Sequence, residues 1–364
     1  MRLNPACLVL LLLGVSPAVA APTPPAQPAG GPGGADYAYA NVASHSTGEA
    51  GDDVTVFWPE KSTAEKLPVI VFAHGWGAVK PEHYLAWIHH LARHGAFVLY
   101  PRYQKSLRAQ PTEFTPNAVT GVKRGLEWLA TQKHLPRADL ARIAAVGHSA
   151  GGVLAANLTV ALPAAGLPSP KAVMCVEPAV LERDGKPLVP LSDLAKVPAA
   201  TLLLTLSGDA DKLVGDTGAR RIYESATAVP AENKDWLELR SDDHGTPALA
   251  ATHRAPAAPL PGFTPPKREE PKGFIRKRIA EKAKERLAER GLDLDSSTQE
   301  PPVTDALDYH GTWRLFDALC AAAFENKFRD VALGGGPAQL DMGQWSDSTP
   351  VKPLARRSPL RPAP

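Results

Sequence analysis

Short runs of consecutive apolar residues alternate along the chain with segments in which apolar residues recur every three or four positions. The runs at 67–73, 96–100 and 172–176 are typical of strands in a sheet that is covered on both faces. Other apolar runs predict strands at 54–58, 142–147, 201–206 and 236–239.

Helices are predicted in the segments between these strands. The spacing of apolar residues indicates helices at 81–94, 114–132, 150–158 and 220–227, and a closing helix at 313–324. Strands that alternate with helices favour an α/β fold, with a mostly parallel twisted sheet and helices on both faces. Ligands of such sheets bind beyond the carboxyl ends of the strands, so we look for chemistry there.

Ser149 lies at a predicted strand-to-helix turn, within the sequence Gly147-His148-Ser149-Ala150-Gly151. A G-x-S-x-G sequence in this position is typical of a nucleophile elbow, which raises the serine hydroxyl group above the sheet. The alternative is a glycine-rich turn without chemistry. The apolar strand before the motif and the Ala-rich helix after it favour the elbow.

The two ends of the chain differ in composition from its middle. A positively charged start, an apolar run at 7–15 and small residues at 18–20 predict a secretory signal peptide at 1–20, and hence export to the periplasm or the medium. Residues 21–36 are rich in Pro and Gly and are expected to form a disordered linker. Residues 351–364 are expected to be a disordered basic tail, which leaves one domain at 37–350.

Composition narrows the class of protein. The formal net charge of +2 gives no reason to expect nucleic acid as a partner, and the hydrophobic share of 44% allows one domain with a large core. We find no apolar stretch in the mature sequence that is long enough to span a membrane. Cys175 and Cys320 remain after removal of the leader, and they either form one disulfide or are buried separately.

Two backbone amides are predicted to form an oxyanion hole beside Ser149. Acyl transfer through a serine places negative charge on the carbonyl oxygen of the substrate, which N–H donors stabilise. The expected donors are Ala150, which follows the serine, and Trp76, in the loop after the strand at 67–73. Gly75 lets this loop turn tightly, and His148 is expected to line the acyl site.

A serine nucleophile needs a neutral imidazole as base and a carboxylate to orient that imidazole. Asp211 follows the strand at 201–206, and His244 follows the strand at 236–239, so Ser149, Asp211 and His244 are the predicted catalytic residues. The rivals for the acid are Asp209, which we expect to support its own turn, and Glu177, which we interpret as a loop carboxylate.

Other histidines of the chain are rivals to His244 as the base. His253 and His310 do not directly follow a predicted strand, and we expect them at the surface or in an interface. The spacing of His89, His90 and His94 on one helix does not predict a metal site with a carboxylate partner. No metal or organic cofactor is expected.

The core from about residue 55 to 245 resembles secreted bacterial α/β-hydrolases of the dienelactone hydrolase, cutinase-like and platelet-activating-factor acetylhydrolase type. The motifs that carry the resemblance are residues 74–77, 147–152, 208–214 and 243–245. The resemblance implies an α/β-hydrolase fold and places the acid at Asp211, in a G-x-x-D-x-x-V setting. The chain departs from this pattern after His244, where residues 251–305 are a predicted insertion.

The insertion contains a highly charged stretch at 272–290 that has a thin apolar stripe. It is interpreted as a solvated helical arm, a lid, or a basic helix that contacts an anionic surface.

Together these features predict a serine carboxylic-ester hydrolase that acts through an acyl-enzyme, on a small or polymeric ester. The alternatives are an acyltransferase or peptidase of the same fold, and an exported binding protein without catalysis.

Overall fold

The computed structural model describes residues 21–49, 53–106, 109–180, 182–183, 186–264, 273, 278 and 302–359. The strands are β1 (Val42–Thr47), β2 (Val54–Pro59), β3 (Lys66–Ala73), β4 (Phe97–Pro101), β5 (Arg137–His148), β6 (Ala172–Val176), β7 (Glu182–Arg183), β8 (Lys186–Pro187), β9 (Leu202–Gly208), β10 (Lys234–Leu239) and β11 (Ala355–Arg356). The helices are α1 (Leu85–Arg93), α2 (Phe114–Thr131), α3 (Ala150–Ala164), α4 (Thr217–Ser225), α5 (Arg314–Glu325), α6 (Arg329–Ala332) and α7 (Pro337–Leu340). A π-helical turn, Leu307–Trp313, leads into α5.

In the described part of the chain, nine strands form one sheet in the order β1-β2-β4-β3-β5-β6-β9-β10-β11, and β7 pairs with β8 in a separate hairpin. Six neighbouring strands of this sheet run parallel to one another: β4, β3, β5, β6, β9 and β10. Antiparallel pairs lie only at the two edges of this sheet as described, where β1 joins β2, β2 joins β4, and β11 joins β10. The carboxyl ends of β3, β5, β6 and β9 therefore meet at one edge of the sheet.

Apolar side chains are buried on both faces of this sheet. Helices α1 and α5 pack on one face, with Trp87 and Phe316 in the core. Helices α2, α3 and α4 pack on the other face, where Phe114, Leu154 and Ile222 are buried. This arrangement explains the continuous apolar runs of the central strands, and the predicted α/β class with helices on both faces is confirmed.

The Pro- and Gly-rich segment at 21–36 is ordered, and the prediction of a disordered linker is wrong. The carbonyl oxygen of Pro22 accepts the amide of Thr246, and the amide of Gly33 donates to the Asp317 carboxylate at 2.8 Å. Backbone hydrogen bonds hold this segment in place. A composition that is poor in packing side chains does not reveal such bonds.

The predicted C-terminal tail is likewise ordered up to residue 359. Strand β11 pairs with β10, and Val351 and Leu354 are buried. The Arg356 guanidinium group lies 2.9 Å from the carboxylate of Asp235, which is itself fully buried. Residues 351–359 therefore complete an edge of the sheet, and the prediction of disorder is wrong for them.

The first part of the predicted insertion at 251–305 belongs to the domain. Ala251, Ala257 and Ala258 are buried, and the carbonyl oxygen of Ala258 accepts the amide of Ala86 at the start of α1. The predicted signal peptide at 1–20 and the charged stretch at 272–290, apart from residues 273 and 278, lie outside the described residues.

Cys175, on β6, and Cys320, on α5, are both free, so the structure favours separate burial over a disulfide. None of the helices seen in the described ranges combines the length and apolar character that crossing a bilayer requires.

Candidate active site

Ser149 occupies the sharp turn between β5 and α3. Its φ of 58° and ψ of −122° lie in a region that residues with side chains rarely adopt. A Cβ atom at Gly147 would overlap the carbonyl oxygen of Gly151, and a Cβ atom at Gly151 would overlap that of Ala73. Glycine at both positions therefore lets the turn approach β3 closely and hold the serine at the carboxyl edge of the sheet.

Ser149, His253 and Asp211 form a hydrogen-bonded series. His253 Nε2 lies 2.9 Å from Ser149 Oγ, and His253 Nδ1 lies 2.8 Å from Asp211 Oδ2. Because a carboxylate only accepts, we assign the imidazole proton to Nδ1, which leaves the lone pair of Nε2 facing the serine hydroxyl group. An imidazole in this tautomer can remove the serine proton.

Asp211 is held in place from its other side. Its Oδ1 atom accepts the amide of Leu213 at 2.8 Å and the amide of Val214 at 3.1 Å. Burial by itself would raise the pKa of this carboxyl group, but the hydrogen bond to His253 and the two amides bring the pKa below its usual value. The Asp211 side chain is therefore ionised and fixed toward His253, in the position that the sequence predicted for the acid.

The histidine beside Ser149 is His253 and not His244, which the sequence predicted as the base, so the structure does not support His244 in that place. His244 Nε2 lies 2.8 Å from the Asp347 carboxylate, and the His244 side chain is 36% exposed. It forms a hydrogen bond with the C-terminal segment, and among the hydrogen bonds of the described residues it makes none with Ser149.

The path of the chain after β10 explains this correction. Asp242 and Leu249 pair in an antiparallel bridge, so the chain leaves the sheet edge after β10 and then returns to it. The chain carries His244 as it leaves the sheet edge and His253 after it has returned, so only His253 lies near the elbow. Gly245 and Pro247, between the two histidines, are the sequence signal for such a reversal.

The loop after β3 lies beside the serine. A Cβ atom placed on Gly75 would be 3.5 Å from the Cβ atom of Ser149. Trp76 is 41% exposed, and its ring lies 5.1 Å from that of Phe114. An exposed aromatic side chain next to a buried serine marks the side from which a substrate can approach.

Backbone amides of this loop and of α3 are the candidate oxyanion donors. Gly75 donates its amide to the Tyr84 hydroxyl group at 3.1 Å, and Gly77 donates to a glutamine side chain at 2.8 Å. The amide of Trp76 lies between these two engaged amides. The amide of Ala150 opens α3, where N–H groups have no partner within the helix. Both remain the predicted donors.

His148, predicted to line the acyl site, is buried next to His253. Its Nδ1 atom lies 2.9 Å from the Tyr84 hydroxyl oxygen, and its ring lies 4.8 Å from the ring of His253. Burial lowers the pKa of His148 to about 4, so the ring is neutral at neutral pH. These contacts place His148 against His253 and not on an open surface.

The carboxylate of Asp209, which the sequence predicts to support its own turn, instead accepts the amide of Ser241 at 2.9 Å, in the segment after β10. His310 is half-buried, and its Nε2 atom lies 2.9 Å from the carbonyl oxygen of Ala26. Neither residue belongs to the series around Ser149.

Two clusters in the described residues present donor atoms of the kind that bind metals: His90 with His94 and Asp317, and His148 with Glu177 and His253. In the first, His90 Nε2 lies 2.8 Å from Asp317 Oδ2, a carboxylate partner that the spacing of the helix histidines did not predict. Each imidazole in the two clusters already makes a hydrogen bond or ion pair within the protein. The second cluster also includes the histidine that contacts Ser149.

A family model described as the alpha/beta hydrolase fold matches residues 70–205. The match begins in β3, includes the elbow at Ser149, and ends before Asp211 and His253. No curated protein matches the sequence. The strand order, the helices on both faces and the elbow after β5 agree with the matched model. The chain therefore has the α/β-hydrolase fold.

Proposed function

We propose that the protein is a serine hydrolase that cleaves carboxylic esters through an acyl-enzyme at Ser149. One observation carries the proposal: His253 bridges the serine hydroxyl group and an ionised carboxylate with separations of 2.9 and 2.8 Å. The matched α/β-hydrolase model supports the same class of reaction.

In the proposed reaction, His253 Nε2 takes the proton of Ser149 as the hydroxyl oxygen attacks the ester carbonyl carbon. Asp211 holds Nδ1 and stabilises the imidazolium ion that forms. The amides of Trp76 and Ala150 donate to the oxyanion. The imidazolium then protonates the leaving alcohol. In the second half of the reaction His253 takes a proton from water, the water oxygen attacks the acyl carbon, and the proton returns to Ser149 as the acid is released.

Two observations favour an uncharged acyl group: the exposed aromatic side chain of Trp76 follows Gly75 in the loop beside the serine, and the neighbouring His148 is neutral at neutral pH. We therefore propose small or polymeric esters with an uncharged acyl part as the substrate class. We also propose export to the periplasm or the medium, on the strength of the leader-like composition of residues 1–20.

The test is hydrolysis of p-nitrophenyl esters of increasing acyl length by the purified protein and by Ser149→Ala. We expect activity in the wild type and a loss of at least about 10³-fold in the variant. Activity that survives in Ser149→Ala would refute the proposal.

Addition of an alcohol or an amine to the same assay separates hydrolysis from acyl transfer. A free acid as the main product supports the hydrolase. A new ester or amide as the main product would assign the same site to an acyltransferase.

A further inference from the structure

Glu177 is a second carboxyl group next to the proposed base. It follows β6 directly, is fully buried, and has a φ of 44°, which is positive and costly for a residue with a side chain. A Cβ atom on Gly208 would lie 2.7 Å from Glu177 Oε1, so glycine at that position makes room for the carboxyl group. The fold thus accommodates a buried acid at the cost of backbone strain.

This carboxyl group faces two imidazoles. Glu177 Oε2 lies 3.5 Å from His253 Nδ1 and 3.4 Å from His148 Nε2. Among the described residues neither carboxyl oxygen of Glu177 makes a hydrogen bond. Glu177 is therefore close to the same ring nitrogen of His253 that Asp211 binds, without being bonded to it.

The tautomer of His148 follows from its hydrogen bonds. The Tyr84 hydroxyl oxygen accepts the amide of Gly75, so its own proton is free to donate to His148 Nδ1 at 2.9 Å. A neutral His148 then carries its proton on Nε2, on the side of Glu177. Tyr84, His148 and Glu177 form a line of polar groups that leads from the loop beside the serine to His253.

Burial raises the pKa of Glu177 well above its ordinary range, while His253 in its charged form acts in the opposite direction and Asp211 adds to the increase. With a neutral His253, the protonated acid is favoured. When His253 accepts the serine proton, the new positive charge favours ionisation of Glu177.

We propose that Glu177 is a second positioning residue for His253, able to hold Nδ1 when Asp211 is removed. The inference rests on the proposed function, because it concerns the base of that reaction. Glu177 acts through His253 and not through contact with the substrate.

The test is a double-mutant cycle with Asp211→Asn, Glu177→Gln and the combined variant, measured as kcat/KM for a p-nitrophenyl ester. A triad without its acid loses on the order of 10⁴-fold in kcat. Because Glu177 can replace the acid, we expect Asp211→Asn to lose only about 10²-fold, Glu177→Gln less than about tenfold, and the combined variant at least about 10⁴-fold. Losses that simply multiply would overturn the proposal.

The pH profile gives a readout that a merely structural role would not change. The groups facing His253 are Asp211, Glu177 and the neutral His148. In Asp211→Asn the working base needs an ionised Glu177, so we expect half-maximal kcat on the acid side at a higher pH than in the wild type. An unchanged or lower midpoint would contradict the proposal, because loss of a negative charge alone lowers the pKa of a neighbouring imidazole.

Two controls separate the possible failures. Asp308→Asn removes a buried acid outside the site and is expected to retain wild-type kcat/KM. Circular dichroism of each variant shows whether it is folded. If the folded wild type is inactive, the proposed function fails. If the wild type is active but Glu177→Gln has the same effect in both backgrounds, only the role of Glu177 fails.

Discussion

At the scale of single residues, the glycines on either side of Ser149 determine whether the turn can form. Replacement of Gly151 by Ala would place a Cβ atom against the carbonyl oxygen of Ala73, and both groups belong to packed backbone. We expect Gly151→Ala to lower the melting temperature by about 10 °C or more, or to prevent folding. Gly336→Ala is the matched control, because a Cβ atom there meets nothing within 4 Å. Equal melting temperatures for the two variants would contradict the structure of the elbow.

The charge state of the base gives a second prediction at this scale. His253 must be neutral to accept the proton of Ser149, and a protonated imidazole cannot act as a base. Activity is therefore expected to fade in acid. A kcat/KM profile that is flat from about pH 4 to about pH 9 would argue against an imidazole as the base.

The buried side chain of Asp308 affects how the stability of the protein depends on pH. Asp308 is fully buried, and this burial raises its pKa well above the usual value. Above about pH 4 this carboxyl group loses its proton in the unfolded chain but keeps it in the folded protein. Its contribution to the free energy of unfolding therefore falls as the pH rises from the unfolded-state pKa to the folded-state pKa. Asp308→Asn removes this effect.

The measurement is thermal unfolding at about pH 5 and about pH 8. We expect Asp308→Asn to lose less stability than the wild type between the two values. Asp330→Asn, at an exposed position, should follow the wild type. An equal pH dependence in all three proteins would show that Asp308 does not retain its proton.

At the scale of elements, strand β11 and the residue that follows it offer a matched pair of arginines. Arg356 binds the fully buried Asp235 at 2.9 Å, whereas Arg357 is 48% exposed and binds Glu238. Removal of Arg356 leaves a buried charge without its main cation, which costs about 3–5 kcal/mol, while an exposed ion pair contributes about 1 kcal/mol or less. We expect denaturant unfolding to show this difference between Arg356→Ala and Arg357→Ala. Similar losses would mean that β11 is not held as described.

The central strands and main helices could be predicted because burial on both faces leaves a mark in composition. Strand β6 has the predicted bounds, and α2 differs from its prediction by one residue at its end. The strands at the edges of the sheet have no such apolar composition. Strand β1 is mostly exposed or half-buried, and β11 has two residues, so both depend on backbone pairing with a neighbour. The segment at 21–36 is likewise held by backbone hydrogen bonds, which its Pro- and Gly-rich composition does not indicate.

At the scale of the whole molecule, the candidate site shows the limit of reasoning along the chain. The positions of Ser149 and Asp211 follow from local rules, since each directly follows a buried strand. The position of His253 does not, because it depends on a reversal after β10 that brings the chain back to the sheet edge. Separation in sequence from Ser149 is similar for His244 and His253. Only the three-dimensional path distinguishes them.

The assignment of His253 as the base is the central claim, and covalent labelling of Ser149 with a fluorophosphonate tests it most directly. The rate of labelling depends on activation of the serine by its base. We expect His253→Gln to slow labelling by at least about 10³-fold, and His244→Gln, a matched change nine positions earlier in the chain, to label within about twofold of the wild type. Rapid labelling of folded His253→Gln together with loss of labelling in His244→Gln would contradict the account.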